Sequence, residues 1–226
     1  MDWQPFYISF KLALVATFFL VLLALPVAYA LAFRNFRGKP LAEAFFALPI
    51  VLPPTVLGFF VLVAAGNLSP VGRWYHEIFG TTLAFSFEGL VVASVLYSFP
   101  FAVQPMQNAF ENVDKNLIDA ARTLGCSEWR NFLGVILPAG RRGVVTGAML
   151  SFAHTVGEFG VVLMVGGSIP GETKVASIAI YEKVEMVQYK EAAIMAAALL
   201  AFSFVALSFV YYINKKTSVP SATFVK

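Results

Sequence analysis

Charge is what this chain has least of. Only 13% of its 226 residues are Asp, Glu, Lys or Arg, against 59% hydrophobic, where a soluble domain carries about 25% charged. The mean hydropathy of +0.76 is far above that of a soluble domain. The composition therefore describes one compact membrane domain over residues 1–226, and a lipid bilayer as its surroundings. Cysteine is nearly absent too. Cys126 stands alone, so it forms no internal disulfide and has no metal-ligand partners; it reads as a small residue in a turn. Also missing are a Gly-x-x-x-x-Gly-Lys-Ser/Thr phosphate loop, a His-Glu-x-x-His zinc helix and a serine nucleophile elbow. The first absence excludes an ATPase, and the others exclude the commonest hydrolase sites.

What is present is a series of long apolar runs. Residues 6–33 are apolar apart from Lys11 and a few hydroxyls, longer than the roughly 20 residues that cross a bilayer as helix. No short apolar core ends in a clear cleavage site, so this is a retained span rather than a signal peptide, with Trp3, Phe6 and Tyr7 at an interface. A second span over 41–65 contains Pro49, Pro53, Pro54, Thr55 and Gly58. A proline pair removes hydrogen bonds and breaks or bends a helix. Membranes tolerate such backbone where protein covers it or where it lines a cavity. The kink serves either packing or a transport path.

Residues 66–82 read as a polar loop with a solvated His76. Further spans are expected over 83–108, 143–165 and 190–213, separated by a polar segment at 166–188 and followed by a short tail. Arg34, Arg37, Lys39, Lys115, Arg122, Arg130, Arg141, Arg142, Lys215, Lys216 and Lys226 fall in one set of loops, eleven against the four of the other, Arg73, Lys174, Lys183 and Lys190. The positive-inside rule makes the first set cytoplasmic. Five spans then put the N-terminus outside and the C-terminus inside.

The loop at 109–142 organises the rest. Asp114 can cap a first helix, and Gly125 suits the left-handed turn that ends one. Ser127 can cap a second, which Pro138 limits. Trp129, Phe132, Leu133 and Ile136 fall on one face of it, and Ala120 and Ala121 form a small-residue surface. This is either an ordinary amphipathic loop or a mechanical contact, because small side chains let a helix sink into a partner's groove.

Asp119-Ala120-Ala121, three residues, Gly125, nine residues, then Val135-Ile136-Leu137-Pro138 resembles the EAA loop of type I ABC importer permeases. That pattern is Glu-Ala-Ala, three residues, Gly, nine residues, Ile-x-Leu-Pro. Asp119 and Val135 are conservative departures from it. The resemblance implies that Asp119, Ala120, Ala121, Gly125, Ser127, Glu128, Leu137 and Pro138 couple the chain to an ATPase. Pro49-Ile50-Val51-Leu52-Pro53-Pro54-Thr55 looks like the oxyanion branch of the same family.

The fourth span carries two further features. Gly143, Gly147, Ser151 and Thr155 recur every four residues, a ridge that lets helices approach closely, within the chain or at a subunit or pore contact. Glu158, in Gly157-Glu158-Phe159-Gly160, is an acidic side chain inside a span and so a candidate for function or for pairing. His154 lies one turn earlier on the same face. Structural pairing and proton relay are both open. Gly-Glu-Phe-Gly followed by Ile169-Pro170-Gly171-Glu172-Thr173 is similar to molybdate permeases.

Together the resemblances imply an all-α polytopic membrane protein of about five transmembrane helices, the membrane subunit of a molybdate importer in a bacterial or archaeal plasma (inner) membrane. They imply a second copy of the chain, two ATP-binding cassette subunits and an extracytoplasmic molybdate-binding protein as partners, and no nucleic acid. ATP-Mg belongs to the partner subunit, and this chain binds no cofactor and no metal. Pro49, Pro53, Pro54, Thr55, Ser151, Thr155, Gly157, Glu158 and Gly160 are the translocation-path candidates for alternating access. Tungstate or sulfate import is the alternative within the class. A proton-coupled secondary transporter using Glu158, or a membrane scaffold, is the alternative outside it.

Overall fold

Two spans of this protein are broken, and the breaks decide its shape. The computed structural model describes residues 2–216; the tail at 217–226, Lys226 included, lies outside the described residues. Three helices are long and apolar enough to cross a membrane alone: α1 (Gln4–Phe33), α5 (Phe87–Glu111) and α11 (Tyr189–Lys216, apolar over Tyr189–Phe209). Two more spans are bent pairs. The first joins α2 (Lys39–Val51) to α3 (Pro54–Ala65) at 107°. The second is a continuous helical stretch Glu128–Val156, bent by 63° from α9 (Gly160–Gly166). That stretch holds α7 (Glu128–Asn131), a π turn (Phe132–Ile136) and α8 (Leu137–Val156). Between the spans lie α4 (Pro70–Phe79), α6 (Lys115–Thr123) and α10 (Ala176–Glu185). No strand occurs among the described residues. With each bent pair counted as one span, the five expected spans are all present.

The first break follows from sterics. A residue before proline is driven out of the α region, and here two consecutive residues precede prolines. Leu52 (φ −70°, ψ 137°) and Pro53 (φ −55°, ψ 135°) are both extended, so the chain turns an elbow before Pro54 starts α3. Single prolines do less. Pro26, Pro49, Pro100 and Pro105 all stay inside helices.

The packed centre is α1, α5 and α8. Ala13, Ala16, Ala24 and Ala28 of α1 are fully buried. Gly143, Gly147, Ser151 and Thr155 are buried as well, so the small-residue ridge serves packing within the chain. A Cβ on Gly143 would stand 2.2 Å from the Ala109 Cβ and 2.5 Å from the Pro105 carbonyl oxygen, and one on Gly147 2.7 Å from the Ala102 carbonyl oxygen. Lipid offers no hydrophobic drive between helices, so this backbone-level approach is what holds α8 to α5.

Several expectations need correction. Residues 66–82 are not a plain loop. Ser69 accepts from the Gly72 N–H at 2.8 Å, Pro70 opens α4, and Gly80 at φ 70° closes it. The 166–188 segment likewise contains α10. Pro138 does not limit the second loop helix; it sits in the first turn of α8, after the π turn. There its missing N–H costs little, because the widened turn has already interrupted the regular ladder. The π turn also rotates the face. Buried positions run Asn131, Ile136, Gly140, Gly143, Gly147, with a gap of five where α spacing has three or four. Ile136 is therefore buried and Phe132 half-buried, while Trp129 and Leu133 are 68% and 45% exposed.

Candidate functional site

The loop between α5 and α8 is built by its caps. The Asp114 side chain accepts from the Asn116 N–H at 2.9 Å, and Ser127 accepts from Arg130 at 3.4 Å. Gly125 has φ 80°, a conformation that glycine adopts without a Cβ penalty. Ile118 and Ala121 of α6 point inward, Ile118 joining Phe110, Val113 and Ile136. Buried Asn131 donates to the Ile118 carbonyl at 3.3 Å. Of the expected small-residue surface only Ala120 is open, because Ala121 faces the core. Asp119, Ser127, Glu128 and Pro138 are exposed and Leu137 is half-buried.

Charge holds the exposed side of this loop. Arg122 Nε donates to Glu128 Oε1 at 3.0 Å and its Nη2 to Oε2 at 3.2 Å, while Asp119 lies 3.5 Å from Nη1. Tyr29 of α1 donates to Glu128 Oε2 at 3.2 Å. The Arg122 hydrogen bonds hold the Glu128 carboxyl below its ordinary range. One side chain thus ties α6, α7 and the end of α1 together.

The second assembly lies where the two broken spans meet. A Cβ on Gly160, the first residue of α9, would stand 2.8 Å from the Pro54 Cβ, the first residue of α3. The two breaks therefore touch, and beside them opens a cleft of about 600 Å³. Its walls are Pro54 and Thr55 from one break, Gly157, Glu158 and Gly160 from the other, and Tyr97 and His154 beside them. The translocation candidates divide on this cleft. Pro54, Thr55, Gly157, Glu158 and Gly160 line it. Pro53 caps α3, and Pro49 lines a separate apolar groove with Phe46 and Leu57. Ser151 is turned away and donates to the Gly147 carbonyl at 2.7 Å.

Glu158 is only 4% exposed, yet no Lys or Arg pairs with it among the described residues. Ser94 donates to Oε2 at 2.5 Å and Ser98 to Oε1 at 3.1 Å. Thr155, also buried, is 3.0 Å from the Ser98 hydroxyl. Ser177 of α10 donates to the Glu158 carbonyl oxygen, tying α10 to the same break. His154 Nδ1 is 3.9 Å from Oε1, and its nearer partner is Ser98 at 2.9 Å. The link between the two side chains therefore runs through the Ser98 hydroxyl. Ser94, Tyr97 and Ser98 were not among the sequence candidates. Hydroxyls at 94 and 98, one helical turn apart in an apolar helix, were the available signal.

A helical bundle whose second and fourth spans break against each other beside a mostly apolar cleft has solved counterparts among ABC transporters. It matches a chain of the MetNI methionine ABC transporter, solved in inward-facing conformations, with a TM-score of 0.72 at 17% identity over 97% of this chain and 98% of that one. A bacterial ABC transporter for the import of alginate matches with a TM-score of 0.71 at 15% identity, over 97% of this chain and 82% of that one. The chain belongs to the family of binding-protein-dependent transport system inner membrane components, whose model matches residues 12–219. It is similar to the molybdenum transport system permease protein ModB of Azotobacter vinelandii, 45% identical over 93% of both chains. The Escherichia coli K12 protein of that name is 38% identical over 81% of this chain and 80% of that one. A probable sulfate transport system permease protein of Marchantia polymorpha is 32% identical over 92% of this chain and 70% of its own length. The protein is therefore a multi-pass inner-membrane transport component, one part of a system that also has an ATPase and a solute-binding protein.

Proposed function

We propose that this chain is the membrane-spanning subunit of an ATP-driven molybdate importer. The 45% identity with a molybdenum permease over 93% of both chains carries this reading. Two copies would form the path, two ATP-binding cassette subunits would dock on the 109–142 loop, and an extracytoplasmic molybdate-binding protein would deliver the anion. ATP-Mg would be held by the partner and no cofactor by this chain. Residues 1–226 act as one domain. The exposed row of Asp119, Ala120, Ser127 and Glu128 supports the loop's role, since the contact surface is open while its inner face is packed. The cleft supports the path: Thr55, Tyr97 and His154 offer polar groups to an oxyanion, and both flanking helices are already interrupted there.

The mechanism is alternating access. Closure of the ATPases on ATP would draw the two loops together. The stretch Glu128–Val156 is continuous from loop to cleft, so it would carry that displacement to the break at Glu158 as a lever. The test is molybdate uptake by the full complex in vesicles, with and without ATP. ATP-dependent uptake is the expected result. Uptake driven by a proton gradient without ATP would favour a secondary transporter, and preference for sulfate would favour the second set of relatives.

Orientation is part of the proposal. Trp129 would be cytoplasmic and Trp74, 60% exposed on α4, would be outside. Cysteines placed at each position in a Cys126→Ser background can be labelled with an impermeant reagent. Labelling of position 129 from outside intact cells contradicts the assignment.

A further inference from the structure

Resting on the oxyanion reading above, we propose that His154 is the specificity-determining residue of the cleft, and that it carries a proton on Nε2 while a tetrahedral dianion sits there.

The hydrogen bonds set the ring's state. Ser98 Oγ has one proton and donates it to Glu158 Oε1 at 3.1 Å. With Ser98 donating to the Glu158 carboxylate, and not to Thr155 Oγ1 at 3.0 Å, the 2.9 Å contact between Ser98 Oγ and His154 Nδ1 is donated by the ring. The neutral imidazole therefore keeps its proton on Nδ1 and leaves a lone pair on Nε2. Phe101 stacks on the ring at 4.0 Å and 24°, and Tyr97 packs at 5.0 Å, so the imidazole cannot swing away. No described residue bonds Nε2, and the side chain is 23% exposed on the cleft wall.

Charge supplies the second half. The cleft has no Lys or Arg in its walls and one carboxyl, that of Glu158. Around His154, α5 presents Tyr97 and Ser98, α3 presents Thr55, and the α8–α9 break presents Glu158. The charged side chain within α1, Lys11, lies instead over the Phe87 ring at 4.2 Å. A lone pair on Nε2 repels a dianion, whereas an N–H there donates to it. His154 is the one group in the walls that can become a cation. One proton taken from water onto Nε2 converts acceptor to donor and offsets one charge of the dianion. When the anion leaves, that proton returns to water, or leaves with the anion as its monohydrogen form.

The complex reconstituted in vesicles tests this by molybdate uptake per ATP hydrolysed, between about pH 6 and 8. Molybdate binding to the binding protein over the same range removes that protein's own pH dependence. Uptake by the parent is expected to fall about tenfold as pH rises, the loss of one charge-assisted contact. His154→Arg, with a permanent cation, should transport with a flat profile. His154→Gln should be flat and about tenfold below the parent at the acid end. A His154→Gln complex with the parent's rate and profile overturns the proposal. If that variant does not assemble, the parent profile decides, and a flat one is equally fatal. A parent complex that imports no tetrahedral oxyanion at any pH sinks the oxyanion reading itself. Oxyanion import that is indifferent to His154 leaves the reading standing and removes only this residue's role.

Discussion

The fourth span and the loop helix that leads into it each hold one acidic side chain, and the two are kept by opposite means. Glu128 stands in the open loop and is held by charge, with Arg122 gripping both oxygens. Glu158 is buried at the break and is held by neutral hydroxyls of Ser94 and Ser98. Water explains the difference. At the loop it screens the ion pair, so charges are cheap to gather and worth little. At the break the Glu158 side chain itself is buried, so an unpartnered polar group there is costly and every bond counts. The loop can therefore let go and re-form as a partner docks, while the break must keep its bonds as the helix moves.

Substitutions at four positions would break or sharpen that contrast, and the largest effect is expected at the break. We predict that Glu158→Leu removes the acceptor of Ser94, leaves Ser98 only Thr155 and His154, and costs about 3 kcal/mol, seen as a lower unfolding temperature of the purified protein. Glu158→Gln keeps shape and bonding and should stay within about 1 kcal/mol. Equal losses for the two variants would mean that charge, not bonding, holds the break.

Gly143→Leu comes next. Its side chain would strike the α5 backbone, with an expected cost of about 1 to 3 kcal/mol. A variant as stable as the parent would show that α8 is not seated on α5 as described.

Gly125→Val acts on the loop alone. A branched residue at φ 80° costs about 1 to 2 kcal/mol locally, so membrane insertion should survive while co-purification with the ATPase drops. Normal co-purification together with normal uptake would remove the loop from the coupling pathway.

The smallest effect belongs to Arg122→Ala, and it should depend on pH and salt. The Glu128 carboxyl is depressed from its ordinary value of 4.5, chiefly by the Arg122 hydrogen bond. A depressed carboxyl stabilises the loop fully above that ordinary value, and the contribution is lost as pH falls through the lower, folded value. Anisotropy of a dye on Cys126 should therefore fall on acidification from about pH 6 to about 3 in the parent. Arg122→Ala should start lower and change less. Superimposable curves would show that the pair does not order the loop.

Much of this was legible from local signals. Five apolar runs, a proline pair at 53–54, and caps at Asp114, Gly125 and Ser127 all act over a few residues, and the structure honours each. Ser69, Pro70 and Gly80 carried an equally local signal for α4 that the polar composition of 66–82 hid. The cleft was only half visible. Pro54, Thr55, Glu158 and Gly160 could be named from two separate stretches, but nothing in either says that they touch. Ser94 and Ser98 were invisible as partners because their contact with Glu158 spans about sixty residues of sequence and depends on how α5 is rotated.

The π turn at Phe132–Ile136 makes the long lever a screw with a slip in its thread. Each residue of an α-helix advances about 100°, so the extra residue displaces the phase of everything before it relative to everything after. Solvent accessibility measured residue by residue along Glu128–Val156 should read as two regular waves that do not join. The loop can thus present one side to water while the span presents a different one to α5, a freedom that an uninterrupted helix of the same length would not have.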